Sequence, residues 1–221
     1  DDACRLDGRA RNSNKMEMLL KSLARNESTL ASDATVMKDM ERYNESISPE
    51  TYGEYMDCLY RIHIVEETPS FRPNVRSSFR VGKSPKRHLT DPSLSVAALK
   101  MTKNRLIGDL KTFGFMFEAL CERDLQIYAE SQGGRLFHYR DGRDREIDAV
   151  VETEDGRWGA FEIKLGFEQV DDAAKNLLKM HDLFKEEDCP PSVLCVICGT
   201  ASYAYTRPDG VRVLPITALG P

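Results

Sequence analysis

The stretch "EIDAVVETEDGRWGAFEIKLG", residues 146–166, decides the fold, because its second half alternates between two kinds of side chain. In a β-strand, residues two positions apart lie on the same face of the sheet. The pattern predicts a strand with a charged pair on one face and a buried, apolar opposite face. The first face carries Trp158, Ala160, Glu162 and Lys164, and the opposite face carries Phe161, Ile163 and Leu165.

The first half of the stretch predicts a second strand with the same alternation. The segment "TEDGR" between the two halves contains the Asp-Gly pair that is typical of tight hairpin turns. A hairpin of these strands brings Asp148, Glu162 and Lys164 to one end of a sheet. In the first strand, Ile147, Ala149 and Val151 share one face, and Glu146 and Asp148 share the other.

The composition predicts a soluble globular protein. The chain has 221 residues, which suffices for one large domain or two modest ones, and 30% of them are charged. Its apolar runs stay well below the ~18 residues of a membrane-spanning helix, so we expect no membrane segment. Cys195 and Cys198 have no second motif that completes a zinc site. We therefore expect buried free thiols and a reduced, cytoplasmic protein.

Three helices are predicted in the first part of the chain. Segment 15–26 has apolar residues at helical spacing, and segment 30–40 offers Ser32 or Asp33 as the cap of a short helix. In "SPETYGEYMDCLYRIH" (48–63), Ser48 is placed to cap the helix and Pro49 to occupy its first position. The stretch "IHIVEETPSF" (62–71) then predicts a strand, so this part of the chain is predicted to form three helices followed by a β-wing.

Three helices and a β-wing make a winged helix-turn-helix domain, which we place at residues 1–85. The third helix of such a domain usually reads a DNA groove. Here it carries Glu50, Glu54 and Asp57 against Arg61, a poor charge balance for a groove lined with phosphates. A structural or protein-contacting role is therefore favoured for this helix.

The net charge of −5 argues against indiscriminate binding of nucleic acid by the whole surface. The run "FRPNVRSSFRVGKSPKRHLT" (71–90) is nevertheless basic and contains no acidic residue. Such a run is suited to phosphate contacts, and a solvated loop is the alternative. The candidate nucleic-acid-binding residues are Arg72, Arg76, Arg80, Lys83, Lys86 and Arg87.

Residues 86–221 alternate between helices and strands, which predicts an α/β sandwich. Glu118 falls inside a long apolar helix, where an ionised carboxylate must be paired, hydrogen-bonded or bound to a metal. The predicted elements are a strand and a helix joined by an Asp-Pro turn over 86–99, a helix over 107–134, a strand over 135–142, the hairpin of 146–166, a helix over 168–188, a strand in 191–199 and a closing hairpin over 203–216.

The order of Glu118, Asp148 and the Glu162-x-Lys164 pair resembles the core of the PD-(D/E)XK nuclease-like superfamily. The resemblance implies that Asp148 and Glu162 share Mg²⁺ or Mn²⁺, with Glu118 as an accessory ligand. It also implies that Lys164 is catalytic together with Asp148 and Glu162, by orienting water or neutralising the transition state. In the alternative, these residues have no catalytic role. Glu162 and Lys164 then form a surface pair, Asp148 is an exposed charge at a strand edge, and Glu118 is salt-bridged within the core.

A second resemblance covers nearly the whole chain. Its motifs include "SPKRHLTDPSL", "FEALCERDL", "YRDGRDREIDAVVE", "FEIKLG" and "DGVRVLPITAL", in that order. Together they look like the C-terminal region of bacterial and archaeal P-loop ATPases of the AAA type, which carry a winged helix and a nuclease-like domain of unknown function. The resemblance implies an upstream ATPase domain that binds ATP, in keeping with the absence of an initiator Met.

Two functions are therefore open at the level of sequence. The first is metal-dependent cleavage of DNA or RNA under the control of the upstream ATPase. The second is a non-catalytic module that binds a partner protein or nucleic acid. The acidic third helix and the negative net charge favour the second function.

Overall fold

The computed structural model of the protein describes residues 11–43, 45–72, 85–143 and 145–220. The chain forms two compact units. In the described residues, the first unit consists of 11–68 and 85–119, without residue 44, and the second consists of 69–72 and 120–220, without residue 144. No helix in these ranges is long and apolar enough to cross a membrane.

The first unit begins with three helices, as the sequence predicted. They are α1 (Ser13–Arg25), α2 (Asp33–Glu41) and α3 (Pro49–Arg61). Each begins at a side chain that accepts backbone N–H groups, which satisfies donors that the first helical turn leaves without partners. The capping residues are Asn12, Ser32 and Ser48.

A small antiparallel sheet and two short helices follow in the same unit. The strands are β1 (Val65–Thr68) and β2 (Lys86–Leu89), and the helices are α4 (Pro92–Ala98) and α5 (Lys103–Gly108). Asp91 caps α4 immediately before Pro92, which confirms the predicted Asp-Pro turn. The sequence did not predict α5. Because β2 pairs with β1, the residues after 85 continue this unit beyond the predicted boundary.

The apolar faces of α1, α2 and α3 form the core of the first unit together with residues of the small sheet. Leu19, Met40 and Leu59 are among its most buried side chains. One buried polar group, the carboxylate of Glu27, accepts hydrogen bonds from the Leu89 backbone and from Ser95, and it contacts His88. These donors stabilise a charge that would otherwise be costly in this core.

A long helix and six strands make up the next part of the chain. The helix is α6 (Leu110–Ser131), whose first residues count with the first unit. The strands of the second unit are β3 (Arg135–Arg140), β4 (Glu146–Glu152), β5 (Trp158–Lys164), β6 (Val193–Cys198), β7 (Tyr205–Thr206) and β8 (Arg212–Leu214). Helix α7 (Val170–Glu186) connects β5 to β6.

The six strands form one mixed sheet in the order β3-β4-β5-β6-β8-β7. Strands β3, β4 and β5 pair antiparallel, whereas β5, β6 and β8 run parallel. A crossover helix such as α7 is what a parallel pair requires between its strands. The structure thus confirms a mixed α/β architecture in the predicted order of elements.

Strand β4 contains a bulge that the sequence pattern did not predict. Phe137 pairs with Val150, and Tyr139 pairs with Ile147, so two residues of β4 lie opposite one residue of β3. The extra residue falls within the pair Asp148–Ala149. A bulge changes which face the following side chains occupy. Ile147 and Val150 therefore share one core, and the predicted strict alternation along β4 is wrong at this point.

The core of the second unit lies between the sheet and α7. Trp158 and Ala160 of β5 are buried there against Leu177 and Phe184 of the helix. This is the face that carries Glu162, so burial of β5 is not confined to the opposite face, for which the sequence predicted it. On that opposite face Ile163 is also buried. Burial on both faces is usual for the parallel part of a sheet.

Candidate functional site

Asp148 lies where β4 and β5 cease to pair. The antiparallel ladder ends at Ala149 and Phe161, whereas β5 continues beside β6 as far as Lys164. The Asp148 carboxylate accepts a hydrogen bond from the backbone N–H of Ile163, at 2.8 Å. The bulge and the end of the ladder thus place a carboxylate against the last residues of β5. Bulges are common beside active sites because they redirect a side chain in this way.

Glu162 and Lys164 meet Asp148 at this position, as the sequence predicted. The Lys164 ammonium donates to Asp148 Oδ2 at 2.9 Å and lies 2.7 Å from Glu162 Oε2. Glu162 is only 3% exposed, and a quarter of the Lys164 side chain reaches solvent. The three residues form a compact cluster, which we call the β4–β5 cluster, with one cation between two carboxylates.

Asn176 of α7 completes the β4–β5 cluster. Its side-chain amide donates to Glu162 Oε1 at 2.8 Å and to the backbone carbonyl of Glu146 at 3.0 Å. The helix is thereby tied to both strands of the hairpin. Sequence reasoning did not select this residue. Its only signal is a polar side chain beside the apolar positions Ala173 and Leu177 of the helix.

Burial and charge both change the protonation of the cluster. Burial raises the pKa of Glu162, and the Asp148 carboxylate raises it further, to about 8, although Lys164 and Asn176 act in the opposite direction. Burial alone would lower the pKa of Lys164, but the charges of Asp148 and Glu162 outweigh it and raise that pKa. Two carboxylates and one ammonium have a net charge of −1, so Glu162, the more buried acid, is where a proton is most readily taken up.

The oxygen donors of the cluster fit a hard divalent cation. Mg²⁺ and Mn²⁺ prefer carboxylate oxygens, and the excess negative charge of the cluster favours a cation as well as a proton. Asp148 and Glu162 already converge on one ammonium, so their oxygens lie close enough to share an ion. They are nevertheless only two acids: among the residues that the structure describes, no group of three His, Cys, Asp or Glu side chains is arranged to hold a metal.

Glu118, the predicted accessory ligand, lies in the first unit and pairs with Lys86 there. The Lys86 side chain is 8% exposed. This ion pair provides the partly buried Glu118 carboxylate with a partner other than a metal. Asp148, Glu162 and Lys164 therefore come together in the second unit, and the metal role of Glu118 stays a prediction.

The predicted basic run is described in part. Arg76, Arg80 and Lys83 lie outside the described residues. Arg72 is described at the edge of the second unit and is half-buried. Arg87 forms ion pairs with Asp33 at 2.7 Å and with Glu67 at 3.1 Å, and Lys86 pairs with Glu118. Since both cations are engaged within the protein, the described part of the run offers less charge to phosphates than the sequence predicted.

Two family models match the chain, and they divide it in two. Residues 1–105 match a domain of unknown function (DUF8612), and residues 113–219 match another domain of unknown function (DUF4143). The first match continues past residue 85, as does the first unit of the structure. The β4–β5 cluster lies wholly within the second match. Neither the curated proteins nor the solved structures contain a match to this chain.

Proposed function

We propose that the second unit is a metal-dependent phosphodiester hydrolase with a PD-(D/E)XK nuclease-like fold, acting on DNA or RNA. One observation carries the proposal: Asp148, Glu162 and Lys164, from two strands, form a single partly buried cluster at the point where the strands separate. A structural salt bridge needs only two partners. The cluster contains a second carboxylate and therefore an excess negative charge. A site that accepts a metal cation and a phosphate explains this excess better than a structural salt bridge does.

Asp148 and Glu162 would hold Mg²⁺ or Mn²⁺ through their carboxylate oxygens. When bound, the ion lowers the pKa of a coordinated water and offsets charge on the scissile phosphate. Lys164 is the one group of the cluster that reaches solvent as a cation, so it would orient the attacking water or neutralise a phosphate oxygen. Asn176 would hold Glu162 in place. Glu118 is not required by this assignment.

The proposal extends to the context of the domain. The three helices and small sheet of the first unit are consistent with a winged helix-turn-helix domain. The sequence motifs favour a longer, cytoplasmic prokaryotic protein whose upstream AAA-type domain binds ATP and controls the nuclease-like unit. On this view ATP acts only through that upstream domain.

Cleavage of labelled single- and double-stranded DNA and RNA with Mn²⁺ or Mg²⁺ tests the activity. We expect Asp148→Ala and Lys164→Ala to abolish cleavage and Lys175→Ala to retain it. Lys175 is a suitable control because it is an exposed lysine of α7 that pairs with Asp172, outside the cluster. Equal activity in all four proteins would show that a contaminant cleaves the substrate. No cleavage by any of them would refute hydrolysis by this chain alone.

A second candidate function, a non-catalytic module that binds a partner protein or nucleic acid, is favoured by one feature of the cluster. The Lys164 ammonium already contacts both carboxylates, so much of their charge is balanced within the protein. This function predicts that Asp148→Ala leaves binding of nucleic acid intact while charge reversals at Arg72 and in the adjoining basic run weaken it. Loss of binding in Asp148→Ala would contradict it.

A further inference from the structure

A polar hollow in the first unit lies between α1 and α2. Its volume is about 170 Å³, and its lining residues are Arg25, Asn26, Thr35, Lys38, Asp39 and Arg42. A water molecule takes up about 30 Å³ in the liquid, so the hollow has room for several waters or for one phosphate group. Three of the six side chains are cations and one is a carboxylate, which leaves the lining with an excess of positive charge.

The single carboxylate of the hollow arranges the two arginines. Asp39 is 7% exposed, and its two oxygens face different guanidinium groups. Oδ2 lies 3.5 Å from Arg25 Nε, and Oδ1 lies 3.8 Å from Arg42 Nη1. Both distances exceed those of ordinary charge-assisted hydrogen bonds. Asp39 therefore attracts both guanidinium groups without a short hydrogen bond to either, and apart from Arg25 Nη1, which donates to Tyr43, their donors can face another anion.

The cations of the hollow are accessible. The Arg25 side chain is 40% exposed and that of Arg42 is 67% exposed. Lys38 is exposed and forms no ion pair with the residues that the structure describes. Lys21 adds a fourth positive charge nearby, since its ammonium lies 4.4 Å from the ring centre of Tyr43, whose hydroxyl accepts from Arg25.

Helix α3 and the cations of β2 are less suited to phosphate binding. Helix α3 exposes Glu50, Glu54 and Asp57, and the cations Lys86 and Arg87 are held in ion pairs. A phosphate-lined ligand is therefore repelled at α3 and attracted at the α1–α2 hollow. This charge distribution differs from that of a winged helix whose third helix reads a groove.

We propose that the α1–α2 hollow binds a backbone phosphate of a nucleic-acid duplex, through Arg25, Lys38 and Arg42. Single-strand binding requires aromatic faces on which bases stack. Among the described residues that line the hollow there is no aromatic side chain, and the nearby ring of Tyr43 already has Lys21 and Arg25 over its face. The contacts are therefore to phosphate, without base reading, and they set position and affinity rather than sequence preference. This inference extends the proposed function by naming the surface that holds the substrate, and binding can be measured apart from cleavage.

The test is fluorescence anisotropy of the whole chain with labelled DNA and RNA duplexes and single strands, in EDTA to prevent cleavage, at several salt concentrations. The test variant is Lys38→Glu with Arg42→Glu. Its matched control is Lys103→Glu with Arg105→Glu, which makes the same charge change at two exposed cations of α5 in the same unit. Lys38→Met with Arg42→Met serves if the double reversal fails to fold, and thermal melting checks each protein.

We expect the Lys38/Arg42 variant to lose at least about tenfold in duplex affinity and to lower the salt slope by about one, because the hollow neutralises one phosphate. The control should change affinity less than about threefold. Equal losses in both variants would overturn the inference, since net charge alone would explain them. It would also be overturned if the wild type does not bind duplexes or prefers single strands. If duplex binding depends on the hollow but no Mn²⁺-dependent cleavage occurs, hydrolysis by this chain alone is refuted, whereas the inference that the hollow binds phosphate is retained.

Discussion

Glu162 is held by donors from two different elements, and this makes its burial possible. Lys164 of the same strand contacts Oε2, and Asn176 of α7 donates to Oε1. Charged and amide donors offset much of the desolvation of a carboxylate that is 3% exposed. The orientation of Glu162 therefore depends on α7 as well as on β5.

Replacing Asn176 tests this dependence. Asn176→Ala removes a donor from a buried carboxylate, and we expect it to lower the free energy of unfolding by about 1–3 kcal/mol. Asn176→Asp is nearly isosteric but sets a third carboxylate against Glu162. We expect it to be the less stable variant at pH 8 in EDTA and to regain stability when Mn²⁺ is added. Urea unfolding with and without Mn²⁺ measures both effects, and equal responses of the two variants to Mn²⁺ would contradict the assignment.

The raised pKa of Glu162 predicts a pH dependence of stability. An acid whose pKa is higher in the folded state binds more protons there, so stability falls as pH rises between the two pKa values. For Glu162 that window runs from 4.5 to about 8. Without divalent cations, we expect the wild type to lose at least about 1.4 kcal/mol more across this window than Glu162→Gln, the equivalent of one pKa unit.

Denaturant unfolding at pH 5, 6.5 and 8 measures this difference. Glu168→Gln is the matched control, because Glu168 is an exposed acid a short distance along the chain. The control should follow the wild type. If Glu162→Gln does so as well, the pKa of Glu162 is not raised in the folded protein, and the account of its protonation is wrong.

At the scale of single residues, the sequence predicted the cluster but not its surroundings. Asp148, Glu162 and Lys164 could be placed at one end of a sheet because alternation and an Asp-Gly turn are local signals. Asn176 could not be selected, since its role depends on where α7 lies over the sheet. The pairings of Lys86 and Arg87 also depend on residues far along the chain, Glu118 and Asp33.

At the scale of elements, local chemistry explains most boundaries. Ser48 and Pro49 begin α3, and Asp91 and Pro92 begin α4, as their sequence signals predicted. The bulge in β4 has no comparable signal, because it depends on how β4 pairs with β3. The same bulge places Asp148 in the cluster. The feature that the sequence predicts least well is therefore the one that positions a main residue of the site.

The turn between α6 and β3 supplies a test at this scale. A Cβ at Gly134 would lie 2.7 Å from the carbonyl oxygen of Glu152 and 3.2 Å from that of Ala129. Backbone atoms cannot move away as a flexible side chain does. We therefore expect Gly134→Ala to destabilise the second unit by about 1–3 kcal/mol, as overpacking does. Thermal and urea unfolding measure the loss.

Gly142→Ala is the matched control for this substitution. Among the described residues other than its chain neighbours, no heavy atom lies within 4 Å of a Cβ added there, so its effect should stay within about 0.5 kcal/mol. Similar losses in the two variants would indicate a general effect of replacing glycine. The close approach of β4 to the end of α6 would then not explain the glycine at position 134.

At the scale of the whole molecule, the sequence predicted two parts and a mixed α/β architecture. The structure shows two units, and the two family matches also divide the chain. The predicted boundary lay earlier because the strand at 86–89 was read as the start of the second part. Its pairing with β1 is a long-range contact, which periodicity within a short segment does not reveal.

The central claim is that the β4–β5 cluster binds a divalent cation, and calorimetric titration of the whole chain with Mn²⁺ tests it most directly. We predict one site per chain in the wild type, loss of binding of at least about tenfold in Asp148→Asn, and unchanged binding in Asp172→Asn, an exposed acid of α7 paired with Lys175. Lys164→Met should retain the site, since it removes a cation from between the carboxylates. Absence of Mn²⁺ binding in the wild type, or equal binding in Asp148→Asn, would contradict the claim.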